Sequence, residues 1–356
     1  MKIKLSRASA LLGMLLLAVV TATASDSHRG QDTYVLTSTN DPNANQVVVF
    51  QLSSEGAPSL NLVNTLPTGG KGGAGGNAGA LQFFGFAGAV VNYGSNNVTR
   101  LVRDDGSIRV AGNIWLAPNC VQPVSVALSQ NQAFVVGANC AESHSWPSGY
   151  LDGSTVSLPD TSAAQIVSGQ SWAAVTLKSG SVLALGLLHN GALSGTGSTV
   201  SLPSNANNTP LGAAFWGDIL GLTPAHSPDS FALVDKAGDV FPVSGPQPAY
   251  PSNAPCWLAK GPGNIWYAGN SPGHAISIFF SDGQGGSFYK SVPVAGVPTD
   301  VTVSPDGNWL AAIFTAFDGS GGRISIFSID AYGDLSLAAT SDPIGIASFN
   351  GVAFSQ

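Results

Sequence analysis

The feature that most constrains this sequence is a unit of four short β-type runs that recurs along the chain. Its clearest copy spans 301–340, where VTVSPDG, NWLAAIF, RISIFSID and DLSLAAT alternate with turn residues. Ser304-Pro305-Asp306-Gly307 predicts a tight hairpin, because proline presets its own φ and glycine takes a positive φ freely. Four strands in about 40 residues are typical of one blade of a β-propeller.

Runs suited to the innermost strand of a blade recur about every 40 to 50 residues. They begin near Ala80, Pro123, Ala164, Gly212, Cys256, Asp300 and Asn350. The last run lies at the C-terminus, whereas the strands expected at 34–39, 46–53 and 60–66 lack an inner partner. Pairing 351–354 with 34–39 completes a seventh blade and removes an unpaired sheet edge.

The sequence therefore predicts an all-β fold, a seven-bladed propeller of four-stranded antiparallel blades, occupying 34–356 as one domain. Two β-sandwich domains, or a different number of blades, are the alternative.

The first 24 residues have the pattern of a secretory signal peptide. A basic segment precedes the apolar run 10–20, and Ala22-Thr23-Ala24 supplies the small residues of a cleavage site. We expect a mature chain that begins at Ser25, carries 25–33 as a tail and is secreted to the extracellular space. An uncleaved anchor is the alternative, although the apolar run is too short to cross a bilayer.

The charge of the chain argues against two classes of partner. Its formal net charge is −7, and loss of the basic leader would leave about −10. Nucleic acid and anionic membrane surfaces are bound through basic patches, so we expect neither as a partner. We expect the chain to act as a monomer.

A glycine-rich stretch, TGGKGGAGGNAGA, occupies 68–80. It lacks the GK[ST] ending and the following helix of a phosphate-binding loop, so nucleotide binding is not expected. We interpret it as a flexible connection that crosses one face of the ring. The functional alternative makes Lys71 a cation at the mouth of the central channel.

Two of the three cysteines, Cys120 and Cys140, flank a predicted hairpin centred near residue 130. Facing positions on adjacent strands lie close enough for a disulfide, which a secretory route permits. We predict this bond, with a stabilisation of about 3 kcal/mol for a loop of this length. Cys256 is interpreted as a small buried hydrophobic residue, with a nucleophile as the alternative. Asn97 and Asn207 begin N-x-T sequons and are candidate glycosylation sites in a eukaryotic host.

Ionisable residues collect where second and third strands of the blades would be joined. Because these loops gather around one mouth of a propeller channel, we expect a site there, with members Glu142, His144, His226, His274, Asp318 and Arg323. Glu142 and His144 are the candidate acid–base pair. The alternative makes each histidine an ordinary exposed loop residue. HxH and HExxH patterns are absent from the sequence, so we expect no metal site. A propeller has no strand-to-helix nucleophile elbow, so we do not expect a serine hydrolase.

Several stretches together resemble the lactonase-type seven-bladed propellers, the group of carboxymuconate cyclases and propeller-type phosphogluconolactonases. They are YVLTSTNDPNANQVVVFQL, PTGGKGGAGGNAGAL, the PVSVALS…AFVVGAN hairpin and VPTDVTVSPDGNWLAAIF…GRISIFSID. The resemblance implies a small anionic lactone or its acyclic acid as substrate, handled without a cofactor by His, Glu and Arg at the channel mouth.

Carried onto this sequence, the resemblance implies His144 as general base, oriented by Glu142. Lys71 and Arg323 would bind the substrate carboxylate, and His226 and His274 would lie beside it.

Arginine usage supports a second hypothesis. No arginine lies between residues 110 and 322, so Arg323 and Lys71 are the cations expected at the mouth. A secreted propeller without catalysis, acting as a binding, cell-surface or antigenic protein, is the alternative function.

Overall fold

The computed structural model describes residues 32–54, 56–202, 209–226, 231–235, 240–241, 243–244, 254–345 and 349–356. The predicted signal peptide, residues 25–31 of the predicted tail and the sequon at Asn207 lie outside these described residues. Within them, no helix has the length and apolarity needed to cross a bilayer.

Short β-strands, arranged as seven sheets, make up nearly all the described secondary structure. The chain begins with β1 (Thr33–Ser38), β2 (Gln46–Ser53) and β3 (Ser59–Pro67). Blade 1 contains β4 (Leu81–Phe84), β5 (Ala87–Asn92), β6 (Asn97–Asp104) and β7 (Ser107–Trp115). Blade 2 contains β8 (Ser125–Leu128), β9 (Gln132–Val136), β10 (Cys140–Ser145) and β11 (Val156–Ser157). Blade 3 contains β12 (Ala163–Ser168), β13 (Trp172–Leu177), β14 (Ser181–Leu187) and β15 (Leu193–Ser201).

The remaining blades repeat the same meander. Blade 4 contains β16 (Pro210–Trp216), β17 (Ile219–Pro224), β18 (Ala232–Val234) and β19 (Val240–Phe241). A short strand, β20 (Val243–Ser244), pairs in parallel with the outer strand of blade 5. Blade 5 contains β21 (Pro255–Lys260), β22 (Ile265–Asn270), β23 (Ala275–Ser281) and β24 (Gly286–Pro293). Blade 6 contains β25 (Gly296–Val303), β26 (Trp309–Ala316), β27 (Gly322–Ile329) and β28 (Leu335–Thr340). One turn of 3₁₀ helix, Tyr93–Ser95, joins β5 to β6.

The seventh blade is built from both ends of the chain. The last strand, β29 (Asn350–Ser355), pairs antiparallel with β1, bringing Val35 opposite Phe354 and Leu36 opposite Ala353. The sheet order is β29-β1-β2-β3, which makes β29 the innermost strand of blade 7. The predicted closure of the ring is confirmed, as is the seven-bladed all-β fold.

The core lies between the blades, because each blade packs both faces against its neighbours. Strand β13, with the sequence WAAVTL, is therefore buried along its whole length, and so is β22. A middle strand of a blade reads as a continuous apolar run for this reason, without the alternation of a half-exposed strand.

Polar side chains near the start of the inner strands tie adjacent blades together. The backbone N–H of Ile166 in blade 3 donates to Ser125 Oγ of blade 2 over 3.2 Å. The N–H of Ala213 in blade 4 donates to Gln165 Oε1 of blade 3 over 2.6 Å. A β-bulge falls at this point in β12, β16, β21 and β25, so the side chains accept N–H groups near the irregularity.

The predicted disulfide joins Cys120 to Cys140, with their Cα atoms 5.3 Å apart. Its setting differs from the expected facing pair on adjacent strands. Cys120 lies in the connection that leads into β8, Cys140 begins β10, and β9 lies between those strands in the sheet. The bond therefore fastens the connection between blades 1 and 2 to the third strand of blade 2.

Candidate functional site

The central channel has two different ends. One face of the ring carries the connections between blades and the loops between second and third strands; we call it the plug face. The other carries the turns between first and second strands, and we call it the open face. The glycine-rich stretch runs across the plug face, as interpreted from the sequence, and its residues 74–79 form the channel plug.

Hydrogen bonds fix the channel plug to blades on several sides of the ring. Trp257 Nε1 of blade 5 donates to Asn77 O over 3.2 Å, and Asn350 Nδ2 of blade 7 donates to Asn77 Oδ1 over 2.9 Å. Asn77 Nδ2 donates to Val124 O at the start of blade 2. The N–H of Ala78 donates to Ala164 O of blade 3 over 3.2 Å. The channel is therefore closed on the face where the sequence predicted its active mouth.

The candidate acid–base pair lies inside blade 2. Glu142 and His144 are on β10, not in a loop as the sequence analysis expected, and their side chains are 0% and 1% exposed. Both point to the same side of the strand because they are two residues apart. His144 Nε2 lies 3.2 Å from Glu142 Oε2, so the contact between them does form.

Protein groups use the acceptor sites of Glu142. The N–H of Ala117 donates to Oε1 over 3.1 Å, and Thr155 Oγ1 donates to Oε1 over 3.2 Å. His144 Nδ1 has no hydrogen-bond partner among the described residues. A ring with its single N–H on Nε2, donating to Glu142, fits this geometry, since an N–H at Nδ1 would be buried without an acceptor. The pair holds together the connection before β8, the strand β10 and the loop before β11.

The predicted substrate-binding residues fall into separate places. Lys71 is exposed above blade 1, where its N–H donates to Ser95 Oγ over 2.8 Å. His226 is exposed directly after β17, in the loop position predicted for it. Among the described residues, no hydrogen bond or ion pair joins Lys71 to His144 or Arg323. The predicted cluster of Lys71, His144 and Arg323 is not brought together by direct contacts.

Arg323 and His274 contact different residues of one loop on the plug face, the loop between β26 and β27. His274, between β22 and β23, packs its ring edge-to-face on Phe317, with centroids 4.5 Å apart. Arg323 is the second residue of β27; its Nη2 lies 3.8 Å from Asp318 Oδ2 and also donates to Ser320 Oγ. A cavity of about 270 Å³ lies beside Phe317, Asp318 and Arg323. This is the part of the sequence-predicted site that retains a cation next to open space.

Two other predicted residues have settings that change their interpretation. Asn97 is 1% exposed and its Oδ1 accepts from Asn92 Nδ2 over 2.7 Å, which leaves no room for a glycan on the folded chain. Cys256 is half-buried, and burial raises the pKa of its thiol, which disfavours the thiolate needed by a nucleophile.

A cavity that the sequence analysis did not predict opens on the other side of the ring. It measures about 280 Å³ and is lined by the inner strands of blades 1 to 6, with Gly79 of the channel plug at its inner end. Its polar lining includes Gln82, Gln165, Ser168, Lys260, Asp300 and Thr302. We call this space the channel pocket.

Asp300 lies deep in the channel pocket. Its Oδ1 accepts the N–H of Val301 over 2.9 Å, and it also accepts from the N–H groups of Gly79 and Val352. Burial raises the pKa of the Asp300 carboxyl to about 7, because desolvation outweighs the hydrogen bonds from these three N–H groups. The sequence signal for this group is a single carboxylate in the run DVTVSP, within a predicted inner strand. The sequence analysis used this run only to place the strand.

Lys260 lies at the end of β21, near the open face. Its Nζ donates to Gly261 O over 2.7 Å and to Gly263 O over 2.6 Å. The ammonium also lies 5.4 Å from the ring centroids of both Trp216 and Trp266. Burial lowers the pKa of Lys260 to about 8. The two carbonyls and the two aromatic faces stabilise the ammonium form against this loss of solvation.

Comparison with known proteins identifies the fold. No protein-family model matches the sequence, and no curated protein matches it significantly. A protein from Lactobacillus plantarum has a similar structure, with a TM-score of 0.70 and 14% identity over 92% of this chain and 100% of that one. A catalytically inactive virginiamycin B lyase from Staphylococcus aureus, solved with quinupristin, gives a TM-score of 0.55 and 14% identity over 80% of this chain and 93% of the lyase.

A candidate 6-phosphogluconolactonase from Bacteroides uniformis covers 92% of this chain and 86% of its own, at 16% identity and a TM-score of 0.46. Identities this low concern architecture alone, and the similarities to the Lactobacillus protein and to the lyase support the β-propeller fold of this chain.

Proposed function

We propose that this chain is a secreted, non-catalytic β-propeller that acts by binding a ligand. The observation that carries the proposal is the burial of Glu142 and His144, with side chains 0% and 1% exposed. A general base has to come within about 2.6–3.2 Å of the proton it removes, or reach it through one water. His144 instead bonds to Glu142, and Glu142 also accepts the N–H of Ala117 in the connection before β8.

Secretion is supported by the disulfide and by the leader-like sequence. Disulfides persist in oxidising compartments, and the Cys120–Cys140 bond has the Cα separation usual for one. Expression with the natural N-terminus in a secreting host should place the protein in the medium, with Ser25 as its first residue by N-terminal sequencing. Retention of the full-length chain inside the cell would contradict this part of the proposal.

Turnover measurements test the absence of catalysis. We would incubate the wild-type chain and His144→Gln with a panel of lactones and muconates, following product by chromatography. We expect no turnover from either protein above that of a heat-unfolded sample. Wild-type turnover that falls at least tenfold in a folded His144→Gln variant would overturn the proposal, since a buried structural histidine does not act on substrate.

Lactone chemistry of the type implied by the family resemblance remains the second candidate function. The observation that favours it is the cavity of about 270 Å³ beside Arg323, whose side chain is 26% exposed and next to Phe317. A guanidinium in such a place suits a carboxylate or phosphate group. Loss of lactone turnover in Arg323→Gln, with turnover retained in Arg109→Gln on the outer strand of blade 1, would support this candidate.

A further inference from the structure

We infer that the channel pocket is a dead-end binding site, entered from the open face, for a small neutral polyhydroxylated compound such as a monosaccharide or sugar alcohol. The inference rests on the proposed binding function and names its ligand class. It concerns the end of the channel opposite the one predicted from the sequence.

The shape of the pocket sets the size and direction of the ligand. The channel plug closes the inner end, where Gly79 O accepts the N–H of Val126 over 2.9 Å. The cavity of about 280 Å³ lies just below the usual range of roughly 300–1,000 Å³ for small-molecule sites. A compound of one sugar ring or less suits this volume, and it has to enter past the turns of the open face.

The deep end of the pocket offers one acceptor and one donor. Asp300 supplies carboxyl oxygens and is 5% exposed. Gln165 is 6% exposed, and because its Oε1 accepts the N–H of Ala213, its Nε2 is directed away from that bond. A Cβ built on Gly79 would lie 3.2 Å from this Nε2, which places the amide donor at the plug.

Among the hydrogen bonds of the described residues, the Gln165 side chain takes part through Oε1 only, and the residue as a whole is 6% exposed. A ligand hydroxyl both donates and accepts, so neighbouring hydroxyls satisfy the Asp300 carboxyl and the Gln165 amide together. The accessible lining of the pocket is more polar than apolar, which suits a ligand that carries many hydroxyl groups.

Charge in the pocket disfavours ionic ligands of either sign. An anion would approach the Asp300 carboxyl, and the ammonium of Lys260 is already bonded to two backbone carbonyls. An ammonium ligand would meet the donor Nε2 of Gln165 at the floor and Lys260 nearer the mouth. Among the described residues, no group of three or more His, Cys, Asp or Glu side chains is placed to hold a metal ion.

Titration calorimetry on the full chain tests the ligand class. The probes are neutral hexoses, pentoses and their alditols, each matched with a sugar acid and an amino sugar of the same ring. We expect at least one neutral compound to bind, and its charged analogues to bind at least tenfold more weakly. Tighter binding of the sugar acid or the amino sugar would overturn the proposed ligand class, but it would not contradict the proposed binding function.

Paired variants test the two polar groups. Asp300→Asn removes the carboxylate, and Gln165→Glu keeps the acceptor for Ala213 while removing the free donor. Each is expected to weaken binding at least tenfold, whereas Asp105→Asn, at an exposed turn of blade 1, is expected to leave it unchanged. Unchanged binding in both pocket variants, with native circular dichroism, would overturn the site.

A second pair tests the direction of entry. Ser168→Trp places a bulky ring in the pocket lining on the side of the open face, and Lys71→Trp places the same ring on the plug face. We expect binding to be lost in the first and kept in the second, and the reverse result would overturn entry from the open face. Failure of every probe to bind would overturn the pocket, whereas chemical turnover of any probe would instead overturn the proposed non-catalytic function.

Discussion

Two buried carboxyl groups, Glu142 in blade 2 and Asp300 in the channel, have opposite relations to their surroundings. Glu142 is fully enclosed and accepts from a backbone N–H, a hydroxyl and an imidazole. Asp300 is nearly as buried but accepts only from backbone N–H groups and lines a cavity. Side chains surround the first carboxyl, whereas the second has open space in front of it.

The comparison shows that a paired His and Glu in the sequence is weaker evidence of chemistry than a single carboxyl that faces a cavity. When protein donors use the lone pairs of a carboxylate, the group stabilises the fold and has little left for a ligand. The predictions below separate these two roles by stability and by its dependence on pH.

The largest effect is expected for Glu142→Ala. Removal of the carboxylate leaves three donors without their acceptor: the Ala117 N–H, the Thr155 hydroxyl and the imidazole of His144. We therefore expect a loss of about 3–5 kcal/mol in the free energy of unfolding. Urea denaturation at pH 7 measures this loss. A change below about 0.5 kcal/mol would show that the contacts of Glu142 do not hold blade 2 together.

Asp300→Asn should raise the free energy of unfolding, and it should do so only at higher pH. The folded pKa of about 7 lies above the ordinary 3.8, so the carboxyl contributes stability that is fully present below about pH 3.8 and is lost as the pH rises through 7. The loss is at most about 4 kcal/mol. Urea denaturation between pH 4 and 8 should show this slope in the wild type and a flatter profile in the variant; parallel profiles would contradict the prediction.

Removal of the disulfide tests how Glu142 is held. Cys120 lies in the same connection as Ala117, whose N–H donates to Glu142. The double variant Cys120→Ala with Cys140→Ala should lose about 3 kcal/mol, the amount expected for a loop of this length. Thermal unfolding should show the loss, and combination with Glu142→Ala should be less than additive, because the two changes act on one connection. Strict additivity would show that the disulfide and Glu142 act independently.

The smallest effect is expected for Gly79→Ala at the inner end of the channel pocket. Gly79 has a φ of +66°, and a Cβ there would lie 2.9 Å from Ser125 Oγ, so we expect a cost of about 1–3 kcal/mol. Gly85→Ala is the matched control, because Gly85 has a φ of +58° and nothing within 4 Å of the added atom. A greater loss of stability for Gly79→Ala than for Gly85→Ala in thermal unfolding would measure the steric crowding at the channel plug. Equal losses would show that the channel plug shifts to accommodate the added Cβ at little cost.

The ring could be predicted from the sequence because turn residues and spacing are local signals repeated in every blade. The hairpin at Ser304–Gly307 forms as expected, with the N–H of Gly307 donating to Ser304 O over 2.9 Å. Closure by the C-terminal strand could also be predicted, since the three N-terminal strands need an inner strand to complete their blade.

The candidate site was harder to predict, because a run of polar residues in the sequence can form a buried strand of a blade as well as an exposed loop. The run CAESHS has the composition of a loop, yet it forms β10, whose polar side chains, apart from His144 Nδ1, bond to one another and to neighbouring connections. Asp300 stood in a run assigned to a strand, and the sequence does not show that its carboxyl faces open space. The glycine-rich stretch was correctly placed across the ring, but the hydrogen bonds that make it a plug come from four distant blades.

Pairing of β29 with β1 also constrains how the protein is made. The innermost strand of blade 7 follows all the other blades along the chain, so one edge of β1 stays unpaired during synthesis until β29 has left the ribosome. The ring can therefore close only after β29 has been synthesised, and a chain truncated before β29 would lack the closing strand and keep an open sheet edge prone to association.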